Sequence, residues 1–432
     1  MSGETYVNQD QSKQIVLGMP VVLFWGYIAI AFFMTGDGIE QAFLAKYIVD
    51  IGFTPGQASM VFTVYGAAAA LSSWLSGVLS EVYGPRRIMS IGVVMWLVLH
   101  AAFLHWGLGI GNYPMMLLFY GLRGFAYPLF FYAFFVWVVQ KTPDNRLASA
   151  TGWIWAMFTI GYGIMASYLP SWTIPAIGFM GTLWMSMIWV LAGGVMALWF
   201  VKDTPSEAER AIAKSAPTSD KMREISRGMT LIFENKYMFR ALIIRIICNL
   251  SLFGFPVIMP LFYTSDHVGF TTTEWLRIWG TFFVIQPLTN VMWGIIGDRI
   301  GWMRQMRWIG FVGCGTATLL FYYLPYYIPN NFPIAILVAL LFALTVTSFV
   351  PMGAIFPMIE PNHKGAAISI QNLGGGLSNF FGPAIATVLL SIGNVAWVVI
   401  VYGALYFFAA VLTLFIHVDQ PRGKSARNFT AH

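Results

Sequence analysis

Charge is what this sequence has least of. Only 10% of its 432 residues are Asp, Glu, Lys or Arg, against about 25% in soluble domains. A water-soluble globular chain is therefore excluded. Cysteine is nearly absent too: Cys248 and Cys314 each sit in an apolar stretch. That rules out a disulfide scaffold and predicts two small buried residues without metal or redox work. No Cys/His cluster has metal-ligand spacing, so no metal is expected. No GxxxxGK[ST] phosphate loop is present, which argues against ATP-driven chemistry. No cofactor is expected, and with no nucleophile–base set the chain does not read as an enzyme. The net charge of +6 is no nucleic-acid signal, because the basic residues fall between apolar stretches. Residues 1–19 are polar and lack a small-residue cleavage pattern, so the first apolar stretch is expected to stay as an anchor.

What the chain has in abundance is long apolar runs. It is 58% hydrophobic, with a mean hydropathy of +0.70. Runs fall at roughly 20–46, 55–80, 87–107, 112–139, 146–170, 175–201, 238–263, 272–297, 305–325, 332–358, 364–391 and 394–417. Each is long enough to cross a bilayer. Only helices and closed barrels satisfy the backbone in lipid. The expectation is an all-α polytopic membrane protein with twelve transmembrane helices. Trp and Tyr near run ends, such as Trp106, Trp172 and Tyr327, suit the membrane interface.

The loop charges are one-sided. Of the 24 Lys and Arg, all but Lys46, Arg277, Arg123 and Arg245 fall on the side that carries both termini. By the positive-inside rule both termini are cytoplasmic. The one long polar insert, 202–236, mixes charge with Pro and Ser and reads as a linker. It divides the chain into a six-helix bundle over 1–201 and another over 237–432.

A repeat supports the division. Gly77, Glu81, Gly84 and Arg87 recur as Gly294, Asp298, Gly301 and Arg304, at the same spacing. Arg86 and Arg299 stand beside them. Two similar bundles rocking around a central site are a mark of secondary transporters. Gly should keep two helices close here, the acid should cap or pair at a helix end, and Arg should anchor the loop.

These loops resemble the signature G-x-x-x-D-R-x-G-R-R of the major facilitator superfamily, and the likeness extends over the whole chain. The second copy keeps Asp298-Arg299; the first has Glu81-Val82, and Pro85 where a basic residue is usual. The resemblance implies a cytoplasmic gate built on Gly77, Glu81, Gly84, Arg86, Arg87, Gly294, Asp298, Arg299, Gly301 and Arg304. Among the branches, the chain is most similar to the polyol permeases, which import ribitol or D-arabinitol. The stretch Thr35-Gly36-Asp37-Gly38-Ile39-Glu40 carries part of that likeness. It implies proton symport of a small neutral polyol by alternating access, in a bacterial inner membrane, by a chain acting as a monomer.

The residues themselves point the same way. A carboxylate facing lipid costs about 2.5–3.5 kcal/mol or more, so Asp37 and Glu40 should face a wet or paired interior. On a continuous helix they would share one face with Gln41. Arg123, buried in helix four, needs an anion, and Asp37 and Glu40 offer one. In the family that the chain resembles, a helix-one acid and a helix-four Arg often form the proton-coupling pair. Asp37 is expected to carry the proton, with Arg123 as its partner; Glu40 is expected to share the proton or bind substrate hydroxyls. Arg245 in helix seven either snorkels to the surface or faces the cavity; Asn249 lies one turn on. Gln286, Asn290, Gln371 and Asn372 both donate and accept, which suits vicinal hydroxyls. Tyr127 and Trp155 are candidate aromatic walls. Gly374–Gly376 either loosens helix eleven or packs it closely. Were Arg245 the anchor, the substrate would instead be an organic anion such as a keto acid, taken up with protons.

Overall fold

The computed structural model describes residues 15–16, 19–142, 147–201, 230–361 and 364–418. Ten helical stretches in it are long and apolar enough to cross a membrane. One of these, Ala150–Phe200, holds two crossings: it reverses at Gly178, whose φ of +75° breaks the helix. Thr272–Ile300 is also long enough but more polar. Twelve spans result among the described residues, in the order expected.

Span 1 is Phe24–Gly38 followed by Leu44–Asp50. Span 2 is Pro55–Tyr83, and span 3 is Pro85–Ala102 continued by a wider turn over Phe103–Leu108. Span 4 is Tyr113–Arg123 and Ala126–Lys141. Span 5 begins at Leu147–Phe158 and runs through Thr159–Met165 towards Gly178. Span 6 continues from there to Val195 and Met196–Phe200. Span 7 is Lys236–Cys248 and Leu250–Tyr263, and span 8 is Thr272–Ile300. Span 9 ends in Gly313–Tyr327; span 10 is Phe332–Val346 with Met352–Ile359. Spans 11 and 12 are Lys364–Ile392 and Val395–Leu412. Most of the expected linker lies outside the described residues.

The helix ends repeat between halves. Span 2 opens on a capping box, Thr54 with Gln57, and span 8 on another, Thr271 with Glu274. Each side chain takes a backbone N–H the helix leaves unpaired. Asn112 caps span 4 and Asn331 caps span 10, each with Pro in the first turn. Spans 2 and 8 both close on glycine, with φ of +89° at Gly84 and +94° at Gly301. Residues with a Cβ rarely adopt that backbone, so these two signature glycines are explained locally.

Span 1 departs from expectation. It is not one helix from end to end: residues 39–43 form turns between its two pieces. The Glu40 carbonyl accepts from both Phe43 N (3.1 Å) and Leu44 N (2.8 Å) there. Span 7 is likewise interrupted, at Asn249. Interrupted helices at matching places in two halves are the usual frame of a midplane transporter site.

The halves meet mainly at the end away from the chain termini. Ser59 donates to the Pro383 carbonyl (2.8 Å) and Thr63 bonds Thr387 (3.0 Å), joining spans 2 and 11. Trp275 Nε1 donates to the Ala42 carbonyl (2.7 Å), joining spans 8 and 1. A buried apolar cluster runs from Phe43, Phe62 and Leu108 of the first half into Phe255 and Trp275 of the second. A second cluster, around Phe33, Trp96, Phe130 and Val190, stays within the first half. At the terminal end, a Cβ on Gly77, Gly152 or Gly294 would meet nothing within 4 Å. The expectation that Gly77 and Gly294 hold two helices close is therefore not met in this conformation: among the described residues, there is open space around both glycines. Gly66 and Gly376 do that work instead, against Asn379 and Ala70 across the span 2–span 11 seam.

Candidate functional site

Four spans of the first half converge on one ion pair. Glu40 and Arg123 are both fully buried. The guanidinium engages the carboxylate with both ends: Nη1 donates to Oε2 at 3.0 Å, and Nη2 donates to Oε1. Such a two-pronged pair is the strongest arrangement open to Arg. Aromatic faces surround it, with Tyr120 at 4.5 Å, Trp96 at 4.9 Å and Tyr65 at 5.5 Å from the guanidinium carbon. Rings in these positions stabilise a cation that water cannot reach.

Asp37 sits beside this pair, not in it. Trp96 Nε1 donates to its Oδ1 at 2.7 Å, and the Tyr65 hydroxyl stands 3.4 Å from both carboxylate oxygens. Its neighbours by hydrogen bond are thus neutral donors. The expected partnership of Asp37 with Arg123 is corrected: Glu40 holds the guanidinium. The reason is the break after Gly38, which carries Glu40 off the helical face and towards span 4. In this conformation each oxygen of Glu40 accepts from Arg123. Gln41, also in the turn, is nearly buried. Glycines make the approach possible. A Cβ on Gly36 would fall 2.5 Å from the Ser186 carbonyl, and one on Gly38 2.9 Å from that of Tyr162.

His100 belongs to the same cluster and was not expected there. It is fully buried, and its Nδ1 accepts from Arg123 Nη1. A lone histidine carries no spacing signature. Its one sequence signal is Trp96, four residues earlier on the same face of span 3, whose ring stacks on it at 4.3 Å.

From span 4 the Tyr127 hydroxyl reaches the Asn379 side chain of the other half. Trp155 is exposed and packs on Phe131 and Phe158. Arg245 does not snorkel. It lies along span 11, where a Cβ on Gly374 would meet its Cγ at 2.6 Å and one on Gly375 its Nη2 at 2.8 Å. Span 11 is one continuous helix through these glycines, so they serve close packing. Arg245 Nη1 donates to Cys248 Sγ at 3.1 Å. Among the described residues no carboxylate lies within 4 Å of it. Asn249 marks the break in span 7, so it does not continue Arg245's helical face. Gln286, Asn290, Gln371 and Asn372 are all partly exposed. Among the described residues none of their side chains has a hydrogen-bond partner. Their bonding capacity is unspent.

The model of the Major Facilitator Superfamily matches residues 23–278 and 257–431. The chain belongs to the Major Facilitator Superfamily. It is 49% identical to the ribitol transporter of Klebsiella pneumoniae over 96% of this chain and 97% of that one. It is 49% identical to the D-arabinitol transporter of the same organism, over 96% of each. Its identity to the alpha-ketoglutarate permease of Bacillus subtilis (strain 168) is 37%, over 94% of this chain and 91% of that one. This superfamily consists of membrane transporters and not enzymes, and the polyol permease branch is the one these identities support.

The signature loops of the superfamily bracket the open end. Arg86 donates to the Leu198 carbonyl at the close of span 6. Arg87, Arg299 and Arg304 are exposed. The side chains of Glu81 and Asp298 lie outside the described residues.

Proposed function

We propose that this chain imports a sugar alcohol, ribitol or D-arabinitol, together with a proton, by alternating access across a bacterial inner membrane. The termini would face the cytoplasm, as the loop charges ask. The reading rests above all on one observation: two carboxylates, Glu40 and Asp37, are buried beside a single guanidinium, which only Glu40 engages. Glu40 neutralises Arg123. Asp37 then adds an unpaired negative charge in a dry place, which is costly unless a proton balances it. Water reaching the site in one state and not in the other would load and release that proton.

The second half supplies the opposite chemistry. Its free amides suit a neutral ligand rich in hydroxyls. Gln286, Asn290, Gln371 and Asn372 would grip substrate, with Tyr127 and Trp155 as walls. The open end would close as the opposite end parts, with the signature glycines Gly77 and Gly294 giving room for the approach. The chain would work as a monomer.

Uptake of labelled ribitol, D-arabinitol and a keto acid into proteoliposomes, with and without an inward pH gradient, tests this reading. Polyol accumulation driven by the gradient is the expected result. Keto-acid uptake with neither polyol carried would overturn it. That outcome would favour an organic-anion symporter, a second reading motivated by Arg245, which has no carboxylate within 4 Å among the described residues. Asp37→Asn should abolish accumulation and leave polyol exchange; accumulation by this variant would exclude Asp37 as carrier.

A further inference from the structure

His100 lies on none of the surfaces assigned above, yet it touches the ion pair directly. Its two ring nitrogens have different partners. A guanidinium N–H can only donate, so Nδ1, which faces Arg123 Nη1, is the unprotonated nitrogen. Nε2 faces the Leu183 carbonyl at 3.2 Å and the Ser186 hydroxyl at 3.1 Å. The Ser186 hydroxyl spends its own proton on Leu183 O, at 2.6 Å. Two acceptors therefore face Nε2, which must carry the hydrogen. An imidazolium would set an N–H against the guanidinium.

The Nη1 group of Arg123 is divided between Glu40 Oε2 and His100 Nδ1. His100 Nδ1 is itself 3.7 Å from that oxygen. The Trp96 ring fixes the imidazole plane by stacking, and its indole N–H is the close donor to Asp37. One tryptophan thus orients both the acceptor on Arg123 and the carboxylate left outside the ion pair. The charged and titratable neighbours of this arrangement are Asp37 and Glu40 from span 1, Tyr65 from span 2, Tyr120, Arg123 and Tyr127 from span 4, and Tyr162 from span 5.

We propose that His100 is the positioning residue of the site: a neutral imidazole protonated on Nε2 that holds Arg123 on Glu40 and so keeps Asp37 free to exchange a proton. This rests on the proton-coupled reading above. Without the acceptor, a second guanidinium N–H joins the Nε–H, which already has no partner in this dry cluster, and Asp37 is the anion left beside it. Arg123 then turns to Asp37 and locks its charge.

Two measurements decide it. The first is nitrogen NMR of histidine-labelled protein, with His100→Asn used to assign the signal. A neutral ring with Nε2–H across the neutral pH range is expected. An Nδ1–H ring or an imidazolium overturns the proposal, whatever the substrate or coupling. The second compares His100→Leu with His100→Asn, whose amide oxygen stands near the Nδ1 position. A hydrogen bond to a charged group contributes about 1.5–3 kcal/mol. Gradient-driven accumulation by His100→Leu should accordingly fall about tenfold or more, with exchange without a gradient nearly intact. His100→Asn should restore most of the accumulation. If exchange and accumulation fall together and Asn rescues neither, His100 is only a packing residue and the proposal fails. If wild type never accumulates substrate on a gradient, the coupled reading falls, and the role given to Asp37 falls with it. The tautomer then still decides whether His100 holds Arg123.

Discussion

Adding one methyl group at Gly66 should drive the transporter out of the conformation described here. An alanine Cβ there would lie 2.2 Å from the Asn379 carbonyl oxygen and 2.8 Å from the Phe380 Cα. Both are backbone atoms of span 11, so no side chain can swing away. Ordinary contact between such atoms needs about 3.5 Å, and the seam must open by about 1 Å or more. Overpacking of this kind costs about 1–3 kcal/mol. Alanine also favours a helix over glycine by up to about 1 kcal/mol. That gain is the same in every state in which span 2 is helical, so it cancels. The steric cost does not cancel, because it exists only while the two halves touch at this end. A differential cost of about 1–3 kcal/mol shifts a two-state equilibrium about 5- to 150-fold. Spin labels at Ile51→Cys and Ile392→Cys, one on each half at that end and both exposed, would report the distance. The native cysteines, both buried, leave little background. Gly66→Ala should move the distance distribution towards the longer, open population. An unchanged distribution would refute the argument, because the seam would then tolerate a contact that the geometry forbids.

Other expectations follow from single contacts. Glu40→Gln leaves a buried guanidinium without its anion, and loss of one partner of a buried pair costs about 3–5 kcal/mol; thermal unfolding in detergent should show a large drop. Asp37→Asn keeps the Trp96 bond and should unfold close to the wild-type temperature, while losing accumulation. Thr387→Val removes the hydroxyl shared with Ser59 and Thr63. Worth about 0.5–1.5 kcal/mol, that loss should populate the open state in the same spin-label experiment, by less than Gly66→Ala. Asn112→Ala removes the cap of span 4 and should lower stability by about 1 kcal/mol, with transport unchanged.

The spans were legible because lipid permits so little else. Apolar length and loop charge place twelve helices, and the Gly77/Gly294 repeat pairs the halves. The capping pairs Thr54–Gln57 and Thr271–Glu274 were there to be read as a second repeat. The break after Gly38 was not expected, although Gly36 and Gly38, both weak helix formers, stand in the last turn before it. This one break moved Arg123 from Asp37 to Glu40. His100 was not expected at the site, because a lone histidine inside span 3 carries no spacing signature. Which end of the bundle is closed is not written in a sequence that, under the proposed alternating access, adopts both forms.

The indole of Trp275 deserves a mechanical reading. It grips the carbonyl of Ala42, two residues beyond Glu40, and is itself immobilised, with no exposed surface. Residues 39–43 hang between the two rigid pieces of span 1 like a short chain between posts. Parting the halves at this end must therefore either snap the Trp275 bond or tug the chain that holds the carboxylate. The latch and the ion pair are fastened to the same five-residue turn, so the door and the charge it guards are not separate parts.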